Sequence, residues 1–204
     1  MIDADQPPLS PDAGCAEPPA RLRRALIEAR HAVWNGDLLL FPGRGPISVA
    51  GRGKYTHAAM AGWWRHELMC VELREWLGGR AVTLASQLAA HPAGIDVFRP
   101  VVTDRDRERA LDIMIGKAGK RYGYRQVLAA ALLHLPVVRY FVRPDTSRDL
   151  AEASQRPEYC SQAVCNAYHA ASGRDPVPHL ADRLTEPSDL ARTTFFAYQF
   201  TLAP

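Results

Sequence analysis

Apolar residues fall along the chain in short blocks, and the change of spacing from one block to the next marks the elements. In residues 20–33, Leu22, Ala25, Leu26 and Ala29 form one stripe and the arginines another, which predicts an amphipathic helix. Trp34-Asn35-Gly36-Asp37 reads as a turn, and residues 38–41 as a short, wholly apolar strand stopped by Pro42-Gly43. Residues 55–64 and 68–73 read as two more strands around the polar turn Arg65-His66-Glu67. Residues 82–90 fit a strand and a helix equally well, and residues 95–101 form a strand whose Pro100 puts its end at a sheet edge. Thr103-Asp104-Arg105-Asp106 resembles a capping signal for a helix reaching about Lys117, with Ala110, Leu111 and Met114 facing in.

Gly116, Gly119 and Gly123 break the stretch that follows. Residues 124–135 predict a strongly apolar helix, ended before Pro136. It reads as a buried or lid helix, or alternatively as the lining of an apolar substrate groove. Residues 144–157 are polar and read as a loop. From Cys160, the positions Val164, Ala167, Tyr168 and Ala171 keep helical spacing until Gly173 ends the segment. Residues 195–202 alternate as an aromatic strand, with Phe196, Tyr198 and Phe200 on one face, closing the sheet.

Composition narrows the class. A length of 204 residues with 47% hydrophobic and 23% charged residues predicts one folded domain, taken as residues 20–204. Residues 1–19 are acidic and carry prolines at 7, 8, 11, 18 and 19, which predicts a disordered tail. No apolar leader accompanies Cys15, and the run 127–142 is broken by His134, Pro136 and Arg139, short of the ~20 apolar residues a membrane span needs. Four cysteines in such a chain predict free thiols in a reducing, cytoplasmic setting. The net charge of +3 comes without a dense basic block, so no nucleic-acid partner is expected. The loop 43–54 holds four glycines and three basic residues, but GRGPISVAGRGK lacks the Walker spacing for cradling phosphate.

The candidate chemistry centres on Cys160. Its position in the first turn of a helix places the thiol beside unpaired N–H groups and the positive end of the helix dipole, and both favour thiolate. Cys165, five positions on, reads as a small core residue. If the turn between the strands 55–64 and 68–73 is two residues, either Trp64-Arg65 or Arg65-His66, then His57 and Glu72 share a sheet face. They are directly opposed at ~5 Å in the first register and diagonal at ~7 Å in the second. A three-residue turn would put them on opposite faces. The same two residues also fit an ordinary exposed strand pair. With Cys160, however, they make the set that cysteine-nucleophile hydrolysis needs: a thiol, a base and a group that orients the base. A metal site from Cys160, Cys165 and His169 is the competing use of the helix. Cys160 and Cys165 diverge by about 140° around it, and zinc wants four convergent ligands.

Four short segments carry a resemblance. Gly36-Asp37-Leu38-Leu39-Leu40-Phe41, Thr56-His57-Ala58-Ala59-Met60, Cys70-Val71-Glu72 and Tyr159-Cys160-Ser161-Gln162-Ala163-Val164 occur in the order and spacing of the circularly permuted papain-like proteins of the YiiX type. That group belongs to the NlpC-like superfamily, which also includes the lecithin retinol acyltransferase group. The resemblance spans roughly residues 36–200. It implies an α+β fold, with a small antiparallel sheet or half-barrel packed against helices and the cysteine on the central helix. It also implies Cys160 as nucleophile, His57 as base and Glu72 as the third polar residue. Gly119-Lys120-Arg121-Tyr122 is similar to the family's G-x-x-Y segment, which places Tyr122 at the oxyanion. Tyr159, beside the thiol in the matched motif, joins it in the oxyanion and substrate-binding set, and the Cys160 N–H is the other donor. The chain departs from the pattern at Ala58 and Ala59, where glycine is frequent, at Gln162, where Glu is frequent, and at Gly123, where an acidic residue is usual.

The function so implied is a thiol-dependent hydrolase or acyltransferase, amidase- or peptidase-like. It would cleave an amide or ester bond of a small acyl, lipid or peptide substrate through a cysteine thioester, with no cofactor. The apolar run 127–142 tilts the substrate toward an acyl or apolar group. A binding module that keeps the fold without turnover is the alternative, since fold alone does not fix function.

Overall fold

The computed structural model describes residues 23–43, 53–120, 158–178, 180 and 182–204. Its strands are β1 (Arg23–Ala25), β2 (Leu38–Pro42), β3 (Tyr55–Trp64), β4 (Glu67–Arg74), β5 (Gly78–Thr83), β6 (Ile95–Pro100) and β7 (Phe196–Ala203). Its helices are α1 (Leu26–Ala29), α2 (Leu84–Ala90), α3 (Asp104–Ile115), α4 (Cys160–Ser172) and α5 (Pro187–Leu190). The fold is α+β. All seven strands join one sheet in the order β1-β7-β6-β2-β3-β4-β5. β1 runs parallel to β7 and every other neighbour is antiparallel, so the sheet is mixed and not the purely antiparallel one expected.

Both sheet faces are covered, and that explains the unbroken apolar run of β2. Leu38 and Leu40 point to a core shared with α3, α4 and α5, while Leu39 and Phe41 point to a second core under α1 and α2. Successive side chains leave opposite faces, so a strand buried on both sides needs apolar residues at every position. Tyr168 of α4 is fully buried in the first core and donates its hydroxyl to the Gly36 carbonyl, tying the helix to the turn before β2.

The elements follow the sequence where local signals are strong. Thr103 accepts the Asp106 N–H and caps α3, whose Ala110, Leu111 and Met114 are buried as expected. Gly173 ends α4 at φ 69°, in the left-handed region that glycine adopts without cost. The ambiguous stretch 82–90 is both elements in turn. It divides at Thr83, which ends β5 and accepts the Ser86 N–H to start α2. Pro100 ends β6 beyond its last pair with β2, Leu38↔Phe98, so its missing N–H faces no strand on that side.

Two expectations are corrected. Residues 23–33 are not one amphipathic helix. Arg23–Ala25 pairs with β7 as an edge strand, and only Leu26–Ala29 is α-helical before a 3₁₀ turn at Arg30–Ala32. Backbone pairing with the open edge of β7 outweighs helix propensity there. Phe200 does not share a face with Phe196 and Tyr198. The β6–β7 register shifts between Val97 and Phe98, leaving an extra residue on β7 and turning Phe200 to the α1–α2 side. The expected tail 1–19, most of the glycine-rich loop, the apolar helix 124–135 and the loop 144–157 lie outside the described residues. Among the described residues no helix is long and apolar enough to cross a membrane.

Candidate active site

The site begins with a hairpin. β3 and β4 close at the pair Trp64↔Glu67, which leaves Arg65-His66 as a two-residue turn with Arg65 at φ 54°. This is the second of the two registers open to the sequence. Carried down the strands, it sets Glu72 diagonal to His57 on one face. The side chains close the gap: His57 Nε2 lies 2.6 Å from Glu72 Oε2. On the other side of β4, the register places Arg80 directly opposite Glu72.

The β3–β4 ladder runs only as far as Met60↔Val71. Beyond it β3 continues with β2 and β4 continues with β5, so the sheet splits. Ala61 exchanges its backbone bonds with Gly36 and Asp37 on the β2 side, so by alternation the Ala58 N–H faces the split. The N-terminus of α4 enters there. Cys160 Sγ receives the N–H groups of Ala58 and Ser161 and is hydrogen-bonded to His57. Glu72 holds Nε2 of that ring, which leaves Nδ1 for the sulfur. The helix packs on one face of the sheet, while His57 and Glu72 share the other face with Ala59 and Cys70. The open ladder is what lets them meet.

Several contacts fix the first turn of α4. Ser161 Oγ donates to the Thr185 carbonyl at 2.6 Å. Glu158 pairs with Lys117, and its Oε1 accepts from Asn166 Nδ2 at 2.6 Å. The N-cap, Tyr159, contributes no side-chain cap, so that end of the helix dipole is left to the thiol.

Each charge in the site has its cause. Burial pushes the Cys160 thiol up, but the His57 charge, its hydrogen bond and the two backbone N–H groups outweigh this, and the net direction is down. Burial likewise pulls His57 down, but Cys160 and Glu72 raise it to about 9. Burial raises Glu72, and hydrogen bonds and charge from His57 and Arg80 bring it below the ordinary carboxylate value. The shifts together favour the thiolate–imidazolium form of Cys160 and His57 over the neutral pair, with Glu72 as a carboxylate. Cys70 and Cys165 are the contrast: burial first, with acidic neighbours, pushes both thiols well above the usual value.

The structure thus brings together Cys160, His57 and Glu72. Tyr122 lies outside the described residues. Tyr159 is buried, and its hydroxyl points to the Asp182 carbonyl at 3.4 Å. The sequence reading missed two contributors. Arg80 sits on a strand read only in part, and its signal was the pairing of β5 with β4. The Ala58 N–H carries no side-chain signal at all. Cys165 is fully buried in the core, and among the described residues no group of three or more His, Cys, Asp or Glu side chains could hold a metal ion.

No family model matches the chain, and no curated protein matches it. Its fold is similar to a solved structure, the metalloprotein YiiX from Escherichia coli O157:H7, with a TM-score of 0.58 at 14% identity, over 84% of this chain and 99% of that one. At that identity the likeness is one of fold.

Proposed function

We propose that the protein is a thiol-dependent hydrolase or acyltransferase, built on the permuted papain-like plan, that cleaves an amide or ester bond. The observation that carries this reading is the continuous chain of bonds from Cys160 through His57 to Glu72, with the sulfur at an uncapped helix start. Cys160 Sγ attacks the carbonyl carbon. A C–S bond forms and the carbonyl π pair moves to oxygen. The Cys160 N–H at the helix start is the candidate donor to that oxyanion, and the resemblance adds Tyr122, while the Tyr159 hydroxyl is turned to the Asp182 carbonyl. As it collapses, the imidazolium gives its proton to the departing nitrogen or oxygen, and a thioester remains. Water or another acceptor then attacks the thioester while His57 takes the incoming proton, and the thiolate leaves. Glu72 keeps the ring oriented throughout.

The test is intact mass spectrometry after incubation with a panel of small acyl esters, lipid esters and peptide amides. A covalent acyl adduct that maps to Cys160 and disappears in Cys160→Ala is expected. Adducts that persist in that variant, on Cys70 or Cys165, would remove Cys160 from the reading. Absence of an adduct across the panel would favour a binding module.

A metal reading deserves the comparison because the YiiX structure is described as a metalloprotein. The described residues do not fit it. The site offers one thiol and one imidazole, whose Nε2 is held by Glu72, and the second oxygen of Glu72 is held by Arg80. Zinc sites call for three or four convergent ligands. Metal analysis of the purified protein distinguishes the two readings.

A further inference from the structure

Glu72 faces two cations with its two oxygens. Oε2 takes the His57 ring, while Oε1 accepts Arg80 Nε at 2.8 Å and Arg80 Nη2 at 2.6 Å. The carboxylate is wholly buried, and the Arg80 side chain is 29% exposed. A second arginine stands near: Arg74 Nη1 is 3.9 Å from the same oxygen, but that nitrogen donates to Gln87 Oε1 at 2.9 Å and is held off by it. The other titratable groups about the pair are Cys160 from α4, Cys70 from β4 and, across the Phe41 ring, His91 at the end of α2.

We propose that Arg80 is a positioning residue of the thiol site: its guanidinium clamps one oxygen of Glu72 so that the other stays aimed at His57, and thereby keeps the imidazole turned to Cys160. The consequence for catalysis rests on the thiol reading above, but the positional link does not. Without Arg80 the His57 ring still faces Glu72, but the buried Oε1 loses both of its close donors and the carboxylate is free to turn from the ring. Geometry gives Arg80 this role over Arg74. It lies directly across the strand pair from Glu72, its side chain reaches Oε1 with two N–H groups, and no other acceptor competes for them among the described contacts. A lysine in its place would restore charge but not the paired donors.

The experiment follows the His57 ring N–H protons by NMR in the full chain, in wild type and in Arg80→Met, Arg80→Lys and Arg74→Gln. The wild-type ring proton facing Glu72 should give a downfield signal that exchanges slowly with water. Arg80→Met should weaken or abolish that signal, Arg80→Lys should recover part of it, and Arg74→Gln should disturb it less than Arg80→Met does. An unchanged signal in folded Arg80→Met, or an equal loss in Arg74→Gln, overturns the assignment. If Arg80→Met fails to fold, Arg80→Lys decides, and a signal there as strong and as slow to exchange as in wild type overturns it. Should the signal be lost as expected while no substrate ever acylates Cys160, the thiol reading fails and the role of Arg80 stands.

Discussion

A sulfur only 2% exposed should be a poor acid, because removing an anion from water is costly. Cys70 and Cys165 obey that rule. Cys160 escapes it because three kinds of partner converge on one atom: an imidazolium, two backbone N–H groups and a helix N-terminus. The imidazolium is the largest of these, so it is the one to remove. In His57→Ala the thiol keeps its burial and loses its counter-charge, so its pKa should rise above that of the wild type and the thiolate fraction at a given pH should fall. Thiolate absorbance in the ultraviolet, followed against pH, measures this directly. An unchanged titration would mean that the backbone donors suffice alone.

At the scale of the element, the hairpin register decides whether His57 and Glu72 can meet. Slipping by one residue would send one of them to the opposite face. The register is pinned by a two-residue turn that forces Arg65 into the left-handed region, where a side chain costs roughly 1–2 kcal/mol. Arg65→Gly relieves that strain but adds unfolded-chain entropy worth about 0.4–1 kcal/mol. A net gain of ~0.5–1 kcal/mol is expected, read as a higher denaturation midpoint with an unchanged m-value and unchanged His57 titration. A loss of stability would show that the turn is not strained. Strands β2, β3, β4, β6 and β7 and the helices α3 and α4 were legible in the sequence because their signals are local: Pro42-Gly43, the threonine cap at 103, Gly173. So was the shared face of His57 and Glu72, once the turn length was taken as two. The rest depended on partners distant in the chain. Nothing near Arg23 announces that β7 has an open edge, and nothing near Phe200 announces the bulge that turns it over. Arg80 becomes readable only when β5 is laid against β4. The opening of the β3–β4 ladder, which frees the Ala58 N–H, is a property of the whole sheet.

At the scale of the molecule, two cores on opposite faces of the sheet hold the site between them. The first, with α4, supplies the sulfur; the second, with α2, backs the histidine, whose ring lies 5.2 Å from that of Phe41. Buried polar ties keep the sheet in register. Asp96 of β6 accepts from Thr201 at 2.5 Å and from Lys54 and Tyr55 at 2.6 Å each, and Asp37 pairs with Arg99 at 2.9 Å. Because the arrangement depends on sheet, hairpin and helix together, the three cysteines of the described residues should differ in reactivity through their place in the fold and not through local sequence. The most direct test alkylates the folded protein with iodoacetamide over a pH series and maps the product to each cysteine. Cys160 should react first, with a midpoint below the ~8.5 of a free thiol, while Cys70 and Cys165 stay silent until unfolding. A Cys160 midpoint at or above that of a free thiol, or earlier labelling of either other cysteine, would contradict a thiolate held by His57.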